Sequence, residues 1–286
     1  MKIAIIGGNG QLGSDFSLVL SKTASINLLK LSHSEIEITE FESSRKILKS
    51  FKPDIVINTA ASHNVEKCEA DPITSFKVNG LGARNLALLA NDLKFKIVHI
   101  STDYVFDGKK KEPYLESDLP LPLNIYGNTK LCGEKFIQAI TENYLILRVS
   151  GLFGLNPCRA KGGLNFVKLM LKLSKERESV RVVNNEILTP TFTNHIALQL
   201  FKLLETDAVG LFHCTAEGYC SWYDFAKKIF EIAKVETKLE IADPNEFPSK
   251  AARPLYSVLE NQKLKENHLN IMPHWEIGLR EYLKLL

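Results

Sequence analysis

Tyr126 and Lys130 stand four residues apart in the run Tyr126-Gly127-Asn128-Thr129-Lys130. On a helix, side chains at i and i+4 share one face, so this spacing projects a phenol and an ammonium into the same space. A nearby ammonium favours phenolate and lowers a tyrosine pKa from its reference of about 10. Such a phenol can give or take a proton near neutral pH. Alone, the pair is better explained by the solvated start of a helix. Its weight comes from the residues around it.

A second motif opens the chain. Ile3 to Ile6 form a short apolar run suited to a strand buried on both faces. Glycines follow at positions 7, 10 and 13, ahead of an apolar-periodic stretch with Leu12, Phe16, Val19 and Leu20. Strand, glycine turn and helix together make a phosphate site: the backbone can approach a pyrophosphate, whose charge meets free amides and the positive end of the helix. The alternative is an ordinary tight turn between a strand and a helix.

These groups need a scaffold, and the chain supplies an alternating one. Candidate strands are Lys2–Ile6, Ile26–Leu31, Asp54–Asn58, Lys96–Ser101 and Tyr144–Val149. Helical stretches lie between them: one from Gln11, one after a capping box Thr39-x-x-Glu42, one after Asp71-Pro72, and one from Tyr126. The pattern predicts an α/β fold, a Rossmann-type doubly wound parallel sheet over residues 1–150. Ligands gather at the carboxyl ends of such strands, where Gly7, Asn58-Thr59-Ala60-Ala61 and Ser101-Thr102-Asp103 all fall.

After residue 150 the rhythm changes, and residues 151–286 read as a smaller C-terminal substrate lobe with some segments returning to the nucleotide half. Phe166, Leu169, Met170 and Leu173 read as a core stripe. Thr193–Leu204 reads as a helix, Leu211–Thr215 as a strand, and Ser221–Ala233 as a helix opened by Ser221-x-x-Asp224. A loop over Asp243–Pro254 precedes a last helix, roughly Trp275 to Leu285.

Composition removes several classes. The 286 residues are 45% hydrophobic and 24% charged with a net charge of +3, too mild a balance for a nucleic-acid partner. No apolar run approaches the roughly 18 residues of a membrane span, and glycines break the first apolar stretch too early for a signal peptide. Cys68, Cys132, Cys158, Cys214 and Cys220 form no Cys-x-x-Cys, so neither zinc nor a disulfide framework is indicated. Reduced thiols in the cytoplasm are the simplest account. Histidines 63, 99, 195, 213, 268 and 274 lack metal-ligand spacing and read as structural. No Gly-x-Ser-x-Gly elbow is present.

Glycine loop, then Ser101-Thr102, then Tyr126-x-x-x-Lys130, in that order, resembles the extended short-chain dehydrogenase/reductase family. The segments Ser101–Gly108 and Pro122–Glu134, with Asn58–Glu69, Thr189-Pro190-Thr191, Gly210–His213 and Arg253-Pro254, are similar to its dTDP-4-dehydrorhamnose reductase branch over nearly the whole chain. That resemblance implies reduction of a nucleotide-linked 4-keto-6-deoxyhexose. Tyr126 would give the proton, Lys130 would hold the nicotinamide ribose and depress the tyrosine pKa, and Thr102 would orient the ketone oxygen. Gly7, Gly10, Gln11, Leu12 and Gly13 would cradle pyrophosphate, with Ala60 and Ala61 flanking the adenosine end. Val65, Asp103, Tyr104 and Phe106 match positions near the hexose, and Arg253 would neutralise the sugar-nucleotide diphosphate. The implied partner is a nucleotide sugar, with a homodimer among the assemblies open to it.

The cofactor follows from the second strand. NAD sites usually carry an acid at its end. Here Leu31 leads into Ser32-His33-Ser34, with no carboxylate until Glu35. Serine and His33 can donate to a 2′-phosphate, which predicts NADPH, with NADH use left open. One departure concerns the sugar pocket. Where the family's sugar reductases often carry a tryptophan after the Arg-x-Ser of the fifth strand, Gly151 stands in Arg148-Val149-Ser150-Gly151. Phe153 could replace that surface, although it reads more simply as core. Two other functions fit the same motifs: an epimerase or dehydratase that recycles its cofactor, and a non-catalytic subunit like the regulatory partner of methionine adenosyltransferase. Retention of Thr102, Tyr126 and Lys130 argues against the latter.

Overall fold

The computed structural model describes residues 1–158, 162–246 and 249–286. Phe247 and Pro248, inside the expected loop Asp243–Pro254, lie outside the described residues. Five strands follow the expected alternation: β1 (Lys2–Ile6), β2 (Asn27–Leu31), β3 (Ile55–Asn58), β4 (Lys96–Thr102) and β5 (Tyr144–Val149). Between them run α1 (Gln11–Leu20), α2 (Phe41–Phe51), α3 (Val65–Ala70), α4 (Pro72–Phe76), α5 (Ala83–Leu93) and α6 (Ile125–Ile140).

The sheet is parallel throughout, in the order Gly210–His213, β5, β4, β3, β1, β2. Its sixth strand therefore comes from beyond residue 150. The chain turns one way from β1 to β2 and the other way to β3, which opens a crevice at the strand ends where that order reverses. Strand alternation divides the apolar residues between two faces. Ile3 and Ile5 pack with Phe16 of α1 and with Ile196 and Leu200 of the helix Thr193–Leu204. Ala4 and Ile6 pack with Leu86 and Leu89 of α5 and Ile137 of α6. Truncating one such buried isoleucine to alanine costs about 2–5 kcal/mol, so β1 anchors both layers.

A separate core lies under the later segments, built from Phe153, Phe192, Phe225, Trp275 and Tyr282. Phe153 is buried there, 5.7 Å from Phe192 and 5.3 Å from Tyr282 between ring centres. It therefore offers no surface to a ligand. The helix Trp222–Ala233 opens with the expected Ser221/Asp224 capping box. The Thr39/Glu42 box does not form: α2 is preceded by Glu40, and the Thr39 hydroxyl donates to Glu37 at 3.0 Å. A nearer carboxylate competes for that hydroxyl. Of the expected stripe, Met170 is buried and Leu173 packs on the second core, while Leu169 is exposed. No helix among the described residues is long and apolar enough to cross a membrane.

Candidate active site

A cavity of about 620 Å³ opens at the strand ends, a size typical of cofactor and substrate sites. Its floor is the opening turn. The Gly10 amide donates to Gly7 O at 2.9 Å, and the Ser14 amide starts the helical ladder on Gly10 O at 3.0 Å. No side chain caps α1, so its first amides are available to an anion. A Cβ on Gly13 would run into the Gly7 carbonyl, so only glycine allows helix and turn this close. Gly7, Gly10, Gln11, Leu12 and Gly13 all line the cavity, and the buried Gln11 Oε1 has no hydrogen-bond partner among the described residues. The cradle fits a dinucleotide: it has backbone room, free donors and an unpaired acceptor.

His33, Ala60 and Ala61 line the same wall. The donors after β2 are partly engaged by acids, however. His33 faces Glu37 at 3.3 Å, and the Ser32 hydroxyl donates to Glu35 at 2.6 Å.

Tyr126, Lys130, Thr102, Asp103, Tyr104 and Val65 border the opposite part of the cavity. Helix α6 begins one residue before Tyr126, because Asn124 accepts from the Gly127 amide at 2.8 Å and Glu69 from the Ile125 amide at 2.7 Å. A Cβ on Gly127 would strike the Tyr104 carbonyl. Its absence lets α6 approach the turn after β4 and brings Tyr104 and Tyr126 edge to face, 5.9 Å apart.

The i, i+4 spacing holds, but the expected acidification does not. The Lys130 amine lies 3.1 Å from His99 Nε2. Burial raises the Tyr126 pKa, the Thr102 hydroxyl bonded to it pulls the other way, and the Asp103 carboxylate adds to the rise. Tyr126 is thus held as a phenol. Burial lowers Lys130 to about 8, against the opposing charge of Glu134.

Thr102 Oγ1 donates to Asp103 at 3.0 Å and accepts from the Tyr104 amide at 3.2 Å. Ser150 holds the other Asp103 oxygen at 2.8 Å. Asp103 is buried and its pKa is raised by that burial, with Ser257, Ser150 and Thr102 opposing. It anchors the threonine more than it faces a ligand.

Two expected site residues stand elsewhere. Phe106 is buried in a small core, stacked on Tyr114 at 4.2 Å and lying under the Arg148 guanidinium at 5.0 Å. It turns inward because the backbone after β4 makes a short 3-10 turn before it. Arg253 does not line the cavity; it pairs with Glu66 at 3.5 Å while the adjacent Pro254 reaches the wall.

Other lining residues escaped sequence reasoning. Trp222 donates from its indole to Glu186 at 3.1 Å and lies 4.5 Å from Phe166, and all three border the cavity. Phe166 was expected as core, and its ring does touch the second core on one side. The signal for Trp222 was a large aromatic at the first position of a capped helix, where a purely solvated face would not place one. His99, expected to be structural, touches Lys130. Gly151 has φ +58°, and a Cβ there would lie 2.6 Å from Thr189 O. This backbone excludes a tryptophan at 151, and Phe166 and Trp222 furnish the aromatic wall instead.

Comparison with known proteins identifies the family. The RmlD substrate binding domain family model matches residues 1–286. The chain is 38% identical, over 99% of its length and 97% of the relative's, to the spore coat polysaccharide biosynthesis protein SpsK of Bacillus subtilis. It is 33% identical to the dTDP-4-dehydrorhamnose reductase of Escherichia coli K12, over all of this chain and 98% of that one. A crystal structure of the Bacillus anthracis dTDP-4-dehydrorhamnose reductase in complex with NADP superimposes with a TM-score of 0.95 at 35% identity, covering 100% and 99% of the two chains. The chain belongs to the RmlD substrate binding domain family, that of the dTDP-4-dehydrorhamnose reductases.

Proposed function

We propose that this protein is a cytoplasmic NADPH-dependent reductase of a nucleotide-linked 4-keto-6-deoxyhexose, with dTDP-4-dehydrorhamnose as substrate and dTDP-L-rhamnose as product. The observation that carries the reading is a half-buried phenol, kept protonated, in the same cavity as a glycine turn built for pyrophosphate. The NADP complex of the Bacillus anthracis relative supports the cofactor assignment.

A reduced nicotinamide supplies the hydride. The remaining steps belong to the chain. Gly7, Gly10, Gln11, Leu12 and Gly13 hold the pyrophosphate, and Ala60, Ala61 and His33 border the adenosine end. Lys130 holds the ribose. The Tyr126 hydroxyl, protonated before reaction, gives its proton to the ketone oxygen as the carbon is reduced. Thr102, bonded to Tyr126 and anchored by Asp103, orients that oxygen. Val65, Tyr104, Phe166 and Trp222 border the space for the sugar.

The test is a panel of 4-keto nucleotide sugars assayed by loss of NADPH absorbance, with NADH alongside. One NADPH consumed per ketone reduced is expected. Turnover of a nucleotide sugar without net NADPH loss would instead assign an epimerase.

A further inference from the structure

Behind Lys130 runs a buried polar chain that the proposed reaction does not use. The Lys130 amine is 3.1 Å from His99 Nε2 on β4, and His99 Nδ1 is 3.2 Å from the side-chain nitrogen of Asn58 at the end of β3. All three residues are at most 2% exposed. The far end fixes the direction of each bond. The Ala60 amide donates to Asn58 Oδ1 at 3.1 Å, which turns the Asn58 NH₂ toward the imidazole. An NH₂ only donates, so Nδ1 must accept. A neutral imidazole has one donor and one acceptor nitrogen, so Nε2 carries the hydrogen. Its partner must offer a lone pair. An ammonium has none; an amine does.

We infer that Asn58 and His99 bias Lys130 toward the neutral amine in the cofactor-free protein, so that dinucleotide binding takes up a proton there. The inference rests on the reading above that Lys130 serves the cofactor. His99 and Asn58 act through Lys130 and are positioning residues. The neighbouring charges leave this logic intact. Glu134, one turn along α6, favours the ammonium, but Arg148 on β5 and Ser101 on β4 already occupy its oxygens. Tyr126 on the same helix is held as a neutral phenol, and Asp103 after β4 acts on that phenol. Burial keeps His99 well below its ordinary value, so the ring stays neutral with no charge needed on Lys130. Burial moves Lys130 the same way, to about 8. A phosphate-bearing ligand in the cavity favours the ammonium again.

The sign follows. Below the Lys130 value of the free protein, NADPH affinity is insensitive to this group. Above it, affinity falls by up to about tenfold per pH unit until the bound-state value is reached, and binding takes up a proton in between.

Calorimetry of NADPH binding to the full chain, at a pH near 8.5 in two buffers of different ionisation enthalpy, reads that uptake directly. We expect an uptake of up to about three-quarters of a proton in the wild type and none in Lys130→Met. Asn58→Asp keeps the acceptor for Ala60 but sets a carboxylate oxygen against Nδ1. The hydrogen then moves to Nδ1, and Nε2 accepts from an ammonium. Uptake should fall toward zero in this variant, and the alkaline loss of affinity should begin at higher pH. NADPH binding without proton uptake in the wild type, or uptake unchanged in Asn58→Asp or Lys130→Met, overturns the inference and leaves the proposed reaction standing. No NADPH binding at all overturns both.

Discussion

Arg148 donates twice to Glu134, from Nε at 2.9 Å and Nη2 at 2.7 Å, with both side chains buried. Ser101 shares the same carboxylate. This fork ties α6, which carries Tyr126 and Lys130, to β4 and β5 one residue before Thr102. The fork thus joins the elements that carry the three groups of the proposed reaction.

Removing one partner leaves an uncompensated buried charge, which costs about 3–5 kcal/mol. Arg148→Met should lower stability by that order in urea unfolding. Arg148→Lys cannot reproduce the fork and should fall between the two. An Arg148→Met protein as stable as the wild type would show that the fork is not what holds α6.

Gly13→Ala brings a Cβ against the Gly7 carbonyl. The pyrophosphate turn must shift, so NADPH affinity, read from nicotinamide fluorescence, should drop by roughly tenfold or more, or about 1.4 kcal/mol. The fold should survive, since Gly13 lies at the helix end and not within the sheet.

The acids after β2 make a separate test. Glu35 takes the Ser32 hydroxyl, which lowers its own pKa and occupies a donor that a 2′-phosphate could use. Glu35→Gln should raise the ratio of kcat/KM for NADPH over NADH by a few fold, of the order expected for a solvent-screened charge. An unchanged ratio would mean that the 2′-phosphate is read elsewhere.

Restoring the family tryptophan should fail here. Gly151 combines a left-handed φ with a Cβ position 2.6 Å from Thr189 O. Even Gly151→Ala should destabilise by about 1–3 kcal/mol, measured by urea unfolding, and Gly151→Trp by more. Trp222→Ala, by contrast, should raise KM for the sugar nucleotide while leaving NADPH binding unchanged.

The regular half of the molecule was legible because its signals are local. β1 and β5 fall where their apolar runs end, and the glycine spacing predicts both the turn and the cavity floor. Ser221/Asp224 and Asp71/Pro72 announce their helices through hydrogen bonds made within one turn. What escaped depends on pairs distant in sequence. His99 could not be assigned to Lys130 without knowing that β4 runs beside α6. Trp222 and Phe166 meet only in the folded chain, and the Thr39 box lost to a carboxylate two residues upstream. The protonation of Tyr126 was misjudged for the same reason: spacing gives a shared face, while burial and the position of the lysine amine set the sign.

The account turns on the Tyr126 proton. The decisive measurement is single-turnover NADPH oxidation by Tyr126→Phe with a dTDP-linked 4-keto-6-deoxyhexose, alongside NADPH binding by fluorescence. The account predicts a rate lower by about 10²–10⁴-fold with cofactor affinity within a few fold of the wild type. Turnover at the wild-type rate without that hydroxyl would contradict it.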